Sequence, residues 1–267
     1  DSKVTYLQVL KNKYFLVYNT TTFLSIFGST LTSIALILLA FGDIESILNV
    51  SYYRIASMVP VLLLGLVAGV YVDRFGKKRS YLYSSLAGAV VILIPIFWRD
   101  LYTIVLVALL LSTFGLFKSS SHEAILPMIL KRKEIRTANS VTRMVTSGGA
   151  IVAPTLSVFF INWYGFALIF LIDSITSILD AVCIYFIPIE ENKKEENRET
   201  TIFADIKASL KHLKERRTVV FLFSSGFLIV LIGSGLGLYI LEYNDLLFGT
   251  RIPYGYYRSA GYAGSFI

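Results

Sequence analysis

Asp173, Thr176, Ser177 and Asp180 fall at i, i+3, i+4 and i+7 inside an otherwise apolar run, so a helix would gather them on one face. Ionisable groups in such a run are costly, roughly 2.5 to 3.5 kcal/mol each at the centre of a membrane helix, and mark functional or pairing sites. Asp180 lies seven residues from the inner end of its run and Arg143 six from the inner start of another, so at about 1.5 Å per residue the two reach similar depth and can pair. His122 and Glu123 sit near the inner end of a third run, where they could gate a path or bind a cation. Arg54, Arg258 and Lys118 are read as snorkelling toward the interface. A further stripe, Asn19, Thr22, Ser25, Ser29 and Thr32, offers hydrogen-bonding groups at helical spacing. Two separated histidines and the single Cys183 give no zinc spacing and no internal disulfide, and no nucleophile or acid-base constellation suggests an enzyme. Neither a metal nor a cofactor is expected.

The elements that must position these groups are membrane helices. Of 267 residues, 55% are hydrophobic and only 16% are charged, with a mean hydropathy of +0.66. Runs near the roughly 20 residues that cross a bilayer predict spans at Phe15 to Phe41, Ser51 to Val72, Ser80 to Trp98, Leu101 to Leu130, Thr137 to Ile161, Phe166 to Ile187 and Val219 to Leu241, with an eighth begun at Tyr254. Hydrocarbon offers the backbone no partners, so these runs must be helices and the fold class is an all-α membrane protein. The first run has no cleavage site after a short apolar core and reads as a retained helix. The chain opens without methionine and stops inside an apolar segment, from which a fragment is expected.

Net charge is +7, but the side on which the cations fall decides its meaning. With the N-terminus inside, 19 of the 25 Lys and Arg are cytoplasmic and only Arg99 and Arg251 lie outside, the remaining four being within spans. The positive-inside rule therefore predicts a multi-pass protein of the cell membrane with a cytoplasmic N-terminus. The basic balance is a topology signal, and no nucleic-acid partner is expected. Pro188 to Arg217 is the one long polar stretch; it opens with a mixed-charge run and continues as a basic amphipathic helix suited to the inner membrane surface. The predicted organisation is a six-helix bundle at 1–187, a linker at 188–218 and the beginning of a second bundle at 219–267.

The turn between the second and third spans reads Gly69-Val70-Tyr71-Val72-Asp73-Arg74-Phe75-Gly76-Lys77-Lys78-Arg79. A glycine one turn before an Asp-Arg pair, then a glycine and three cations, resembles the loop between helices 2 and 3 of the major facilitator superfamily. That resemblance implies the N-terminal part of a 12-helix transporter, with two parallel-repeat bundles rocking around a midplane site. It also implies a role for Asp73 as a switch meeting the second bundle, and for Arg74, Lys77, Lys78 and Arg79 in orienting the loop. A faint repeat accords with this plan: Tyr52-Tyr53-Arg54-Ile55-Ala56 matches Tyr256-Tyr257-Arg258-Ser259-Ala260 in four of five residues, each leading into small-residue spacing, Gly65 to Gly69 and Ala260 to Gly264, that permits close helix approach.

In the fifth span, Gly149, Ala153 and Pro154 resemble a degenerate form of the glycine-proline motif of superfamily exporters, with Ala153 where a glycine is expected. Glu123-Ala124-Ile125-Leu126-Pro127 resembles the macrolide and siderophore exporter branch. The resemblance implies proton-coupled efflux of an amphiphilic or drug-like small molecule across the lipid bilayer. Within it, helices 1 and 4 line the cavity, which makes the Asn19 to Thr32 stripe, His122 and Glu123 substrate-cavity candidates. Helix 6 is peripheral, which favours a structural pair or packed polar seam for Asp173 and Asp180 over proton coupling. An uptake carrier, a lipid translocator and a seven-helix receptor are the alternatives. The receptor fits less well, because a further apolar segment follows the seventh span.

Overall fold

The computed structural model describes residues 6–42, 47–189 and 252–266, together with positions 221, 225, 243 and 247. In chain order the described helices are α1 (Tyr6–Leu10), α2 (Lys13–Phe41), α3 (Ile47–Phe75), α4 (Lys77–Val91), α5 (Ile94–Phe97), α6 (Leu101–Ile129), α7 (Ile135–Tyr164), α8 (Phe166–Phe186) and α9 (Ile252–Phe266). Among the described residues, six segments are long and apolar enough to cross a membrane, α4 and α5 counting as one. Most of the predicted linker and the span at Val219 to Leu241 lie outside the described residues.

Each end of these helices has a local cause. The Asn12 side chain accepts from the amides of Tyr14 and Phe15 at 3.0 and 3.3 Å, capping α2. Its amide also donates to the Ile129 carbonyl at 3.4 Å, tying the start of α2 to the end of α6. The turn between α3 and α4 is a single residue, Gly76, whose φ of 93° is the left-handed region that favours glycine. Asp100 caps α6, accepting from the Thr103 amide at 3.0 Å and its hydroxyl at 2.6 Å; these bonds hold its carboxyl below the usual carboxylate range. The third span is not continuous as predicted: α4 stops at Val91 and α5 resumes at Ile94, with Pro95, which has no N–H to donate, in its first turn.

The bundle is built around α2, which packs on α7 and α8 and also touches α3 and α6; α4 bridges α6 and α8, and α3 lies along α6. Two dry clusters result. One gathers Leu31 to Phe41 of α2 with Ile104, Val107, Ala153 and Phe170; the other gathers Phe15, Tyr18, Tyr81, Ile125 and Ile184 toward the opposite end. Leu62, Leu63, Tyr83, Val90 and Phe186 are exposed, as apolar side chains facing lipid should be.

The close approaches fall at other glycines than the repeat suggested. Gly65, Gly69, Gly261 and Gly264 face open space among the described residues. Gly255 of α9 instead abuts α7, where an added Cβ would lie 3.0 Å from the Pro154 carbonyl oxygen and 3.2 Å from Thr155 Cα. One turn on, the hydroxyls of Thr155 and Ser259 are 2.9 Å apart. Backbone cannot yield as a flexible side chain can, so Gly255→Leu should push α9 off α7. Disulfide cross-linking of a Thr155→Cys, Ser259→Cys pair should drop sharply in that variant, and an unchanged yield would contradict this crossing.

Candidate functional site

The polar residues of the bundle converge between the two dry clusters. Lys118 of α6 sends its ammonium to Asp180 of α8, Nζ to Oδ2 2.8 Å, and donates to Ser25 Oγ of α2 at 2.7 Å. The Tyr81 hydroxyl of α4 donates to the same Asp180 oxygen at 2.6 Å, and the Tyr81 ring lies 5.3 Å from the ammonium. One ion pair thus joins four helices, with charge-assisted bonds that are stronger than neutral ones.

One turn beyond Lys118, His122 stacks on Tyr18 with ring centroids 4.4 Å apart. The Thr22 hydroxyl donates to the Tyr18 carbonyl at 2.6 Å and lies 2.8 Å from His122 Nε2. His122 Nδ1 lies 2.9 Å from the Tyr18 hydroxyl, which also donates to the His122 carbonyl at 3.1 Å, so both ring nitrogens are held by hydroxyl partners.

Above this layer opens a cavity of about 460 Å³. Its walls are Thr22, Ser25, Ser29, Thr32 and Ser33 of α2, Tyr53 and Ser57 of α3, Tyr81, Ser84 and Ser85 of α4, Ser112, Lys118, Ser119 and His122 of α6, and Asp173 and Ser177 of α8, with apolar residues between them. Thirteen of its 24 wall residues carry a hydroxyl, but most of the surface turned to the cavity is apolar, so its polar contacts are few and set apart at little charge. Ser112 donates to the Ser57 carbonyl, joining α6 to α3.

Several sequence expectations change here. Asp180 pairs with Lys118 and not with Arg143, which is exposed on α7; depth alone cannot say which helices are neighbours. Lys118 turns inward and does not snorkel. The sixth span is not peripheral to this cavity, since α8 supplies Asp173 and Ser177 to its wall. Asn19 is buried outside the wall and its amide has no hydrogen-bond partner, while Glu123 is exposed and also outside the wall. Tyr53, Tyr81, Ser84 and Ser85 were not anticipated. The i, i+3, i+4 spacing of Tyr81, Ser84 and Ser85 is the signal that would have found them.

At the turn between α3 and α4, Asp73 is exposed at the end of α3, Gly76 is buried, and Arg74, Lys77, Lys78 and Arg79 all hold partners. Lys78 Nζ donates to the Ile187 carbonyl at 2.8 Å and lies 5.5 Å from the Tyr185 ring, fastening a cation to the C-terminus of α8. On α7, Gly149 faces the Phe23 ring, and Ala153 and Pro154 are buried.

The sequence profile of the Major Facilitator Superfamily matches residues 19–267. The chain belongs to that superfamily. Its six spans fit the N-terminal half of the 12-helix fold, and the protein is a multi-pass membrane protein. It is similar to the uncharacterized MFS-type transporter YfiS of Bacillus subtilis (strain 168), 25% identical over 182 residues that cover 67% of this chain and 44% of that protein. The match thus spans less than half of that relative's length.

Proposed function

We propose that this chain is the N-terminal part of a secondary active transporter that exports an amphiphilic or drug-like small molecule by alternating access, driven by protons. The observation that carries the reading is the mainly apolar cavity, with scattered hydroxyls in its wall, inside a six-span bundle of this superfamily, opened by α2 and α6. Residues 1–187 form the first bundle, 188–218 a linker on the inner membrane surface, and 219–267 the start of the second bundle, in the cell membrane with the N-terminus cytoplasmic. The excess of Lys and Arg on one side supports that orientation. The resemblance of Gly149, Ala153 and Pro154, and of Glu123 to Pro127, supports an exporter of the macrolide and siderophore branch.

Flux of radiolabelled candidates into everted and right-side-out vesicles of the full-length protein tests the direction. Accumulation in everted vesicles under an inward-acidic gradient is expected; accumulation only in right-side-out vesicles would make it an uptake carrier, and movement of lipid alone a translocator. Asp73 is the proposed switch, and its exposure at the inner surface leaves it open to the second bundle. In the full-length protein Asp73→Asn should strongly reduce transport with expression intact, because only a charge is removed. Near-normal flux by that variant would sink the switch.

A further inference from the structure

We propose that the cavity between α2, α3, α4, α6 and α8 is a receptor for an organic ammonium ion, with Asp173 as its counter-ion. The proposal rests on the transport reading above and narrows its small molecule to a cationic amine.

Charge balance is the first argument. The cluster holds two carboxylates, Asp173 and Asp180, and one ammonium, Lys118. Whichever carboxylate Lys118 faces, one negative charge remains. The other groups facing this region do not supply the missing positive charge: α4 offers Tyr81, α3 offers Tyr53, the facing wall of α2 offers hydroxyls, and the imidazole of His122 is of a type that is mostly uncharged at neutral pH. Arg54 lies outside the wall.

The second argument is the state of Asp173 itself. It is 1% exposed, yet neither carboxylate oxygen has a hydrogen-bond partner. The hydroxyls of Thr32 and Ser177 face it without reaching hydrogen-bond geometry. A buried carboxylate left this way, on the wall of a cavity, lacks a cation or donor that a ligand can bring.

Size and lining then select among cations. About 460 Å³ is far more than a proton or a dehydrated metal ion fills. Leu36, Ile92, Leu111 and Phe114 give a hydrocarbon body something to pack on, while serine and threonine oxygens accept from N–H groups. Ser29, Gly115 and Ser119 are exposed and form the mouth. An anion would meet the Asp173 charge and be repelled.

The test uses the full-length protein in detergent at neutral pH and titration calorimetry with three probes of one skeleton: phenethylammonium, phenethyl alcohol and hydrocinnamate. A naphthyl trio repeats it at larger size. The ammonium compounds should bind, and the alcohols and carboxylates should not. Asp173→Asn should weaken ammonium binding by about tenfold or more, the usual scale for a hydrogen bond to a charged group. Ser177→Ala, which leaves all charges in place, should weaken it a fewfold, so the test survives poor folding of the first variant. Equal binding of the alcohol, unchanged affinity in Asp173→Asn, or no ammonium binding at all overturns the proposal; sodium-dependent heat or proton uptake alone would reassign the site to an inorganic cation or a proton. Binding is read without flux, so the two readings fail separately: ammonium binding without transport retires the transporter, and transport of neutral solutes without ammonium binding retires the receptor.

Discussion

Replacing Asp180 by leucine should destabilise the full-length protein severely, by about 3 kcal/mol, the low end of the range for removing one member of a buried ion pair. The low end applies because the Lys118 side chain is 19% exposed and keeps part of its hydration, whereas that of Asp180 is fully buried. Tyr81 and Lys118 would both lose their acceptor at Oδ2. The double variant Lys118→Met, Asp180→Leu removes both charges and should recover most of the loss, since an apolar pair of similar volume often substitutes well for a buried ion pair. Arg143→Met should be near neutral. Melting temperatures in detergent decide the matter: a large loss for Arg143→Met, or none for Asp180→Leu, would return Asp180 to the partner that sequence depth suggested.

The second large effect is steric. At Gly28, in the middle of α2, an added Cβ would lie 2.6 Å from Thr176 Oγ1, 2.7 Å from Asp173 Oδ1 and 3.1 Å from Asp173 Cα. The first two are shorter than real Cβ contacts and require those side chains to shift, and the third is tight against the backbone of α8, which cannot move aside alone. Gly28→Val should therefore separate α2 from α8 at the level of the cavity, costing about 1 to 3 kcal/mol or more, as overpacking does. Gly148 of α7 is the control, for nothing lies within 4 Å of a Cβ there. Alanine is preferred over glycine in a helix interior by up to about 1 kcal/mol, so Gly148→Ala should be neutral or stabilising where Gly28→Ala is destabilising. Equal melting temperatures for the two alanine variants would mean that α2 and α8 do not cross this closely.

The spans were legible because hydrocarbon allows a long apolar run only one backbone solution; α2, α6 and α8 begin and end within a few residues of the predicted Phe15 to Phe41, Leu101 to Leu130 and Phe166 to Ile187. The turn at Gly76 was legible for a similar reason, since its φ of 93° leaves little choice of residue. Cross-helix partnership was not. Lys118, Ser25, Tyr81 and Asp180 share no spacing, being on four different helices, and only the order of packing brings them within 3 Å of one another in pairs. Gly28 was equally silent, because a small residue in an apolar helix looks the same whether or not another backbone crosses it. Periodicity did gather Asp173, Ser177 and Asp180 on one face, but what that face met depended on α4 and α6.

The Lys118 ion pair also sets a timetable for biogenesis. Lys118 enters the bilayer with α6, while Asp180 is still to be synthesised. At ribosomal speeds of about 5 to 20 residues per second, the roughly sixty residues between them take some 3 to 12 seconds. During that interval α6 must hold an uncompensated ammonium, at a cost of about 2.5 to 3.5 kcal/mol on insertion scales. Its most apolar 18-residue stretch, with a mean hydropathy of 2.0, offsets that cost without help from a partner. Nascent α6 therefore waits, charged and inserted, until α8 arrives to neutralise it.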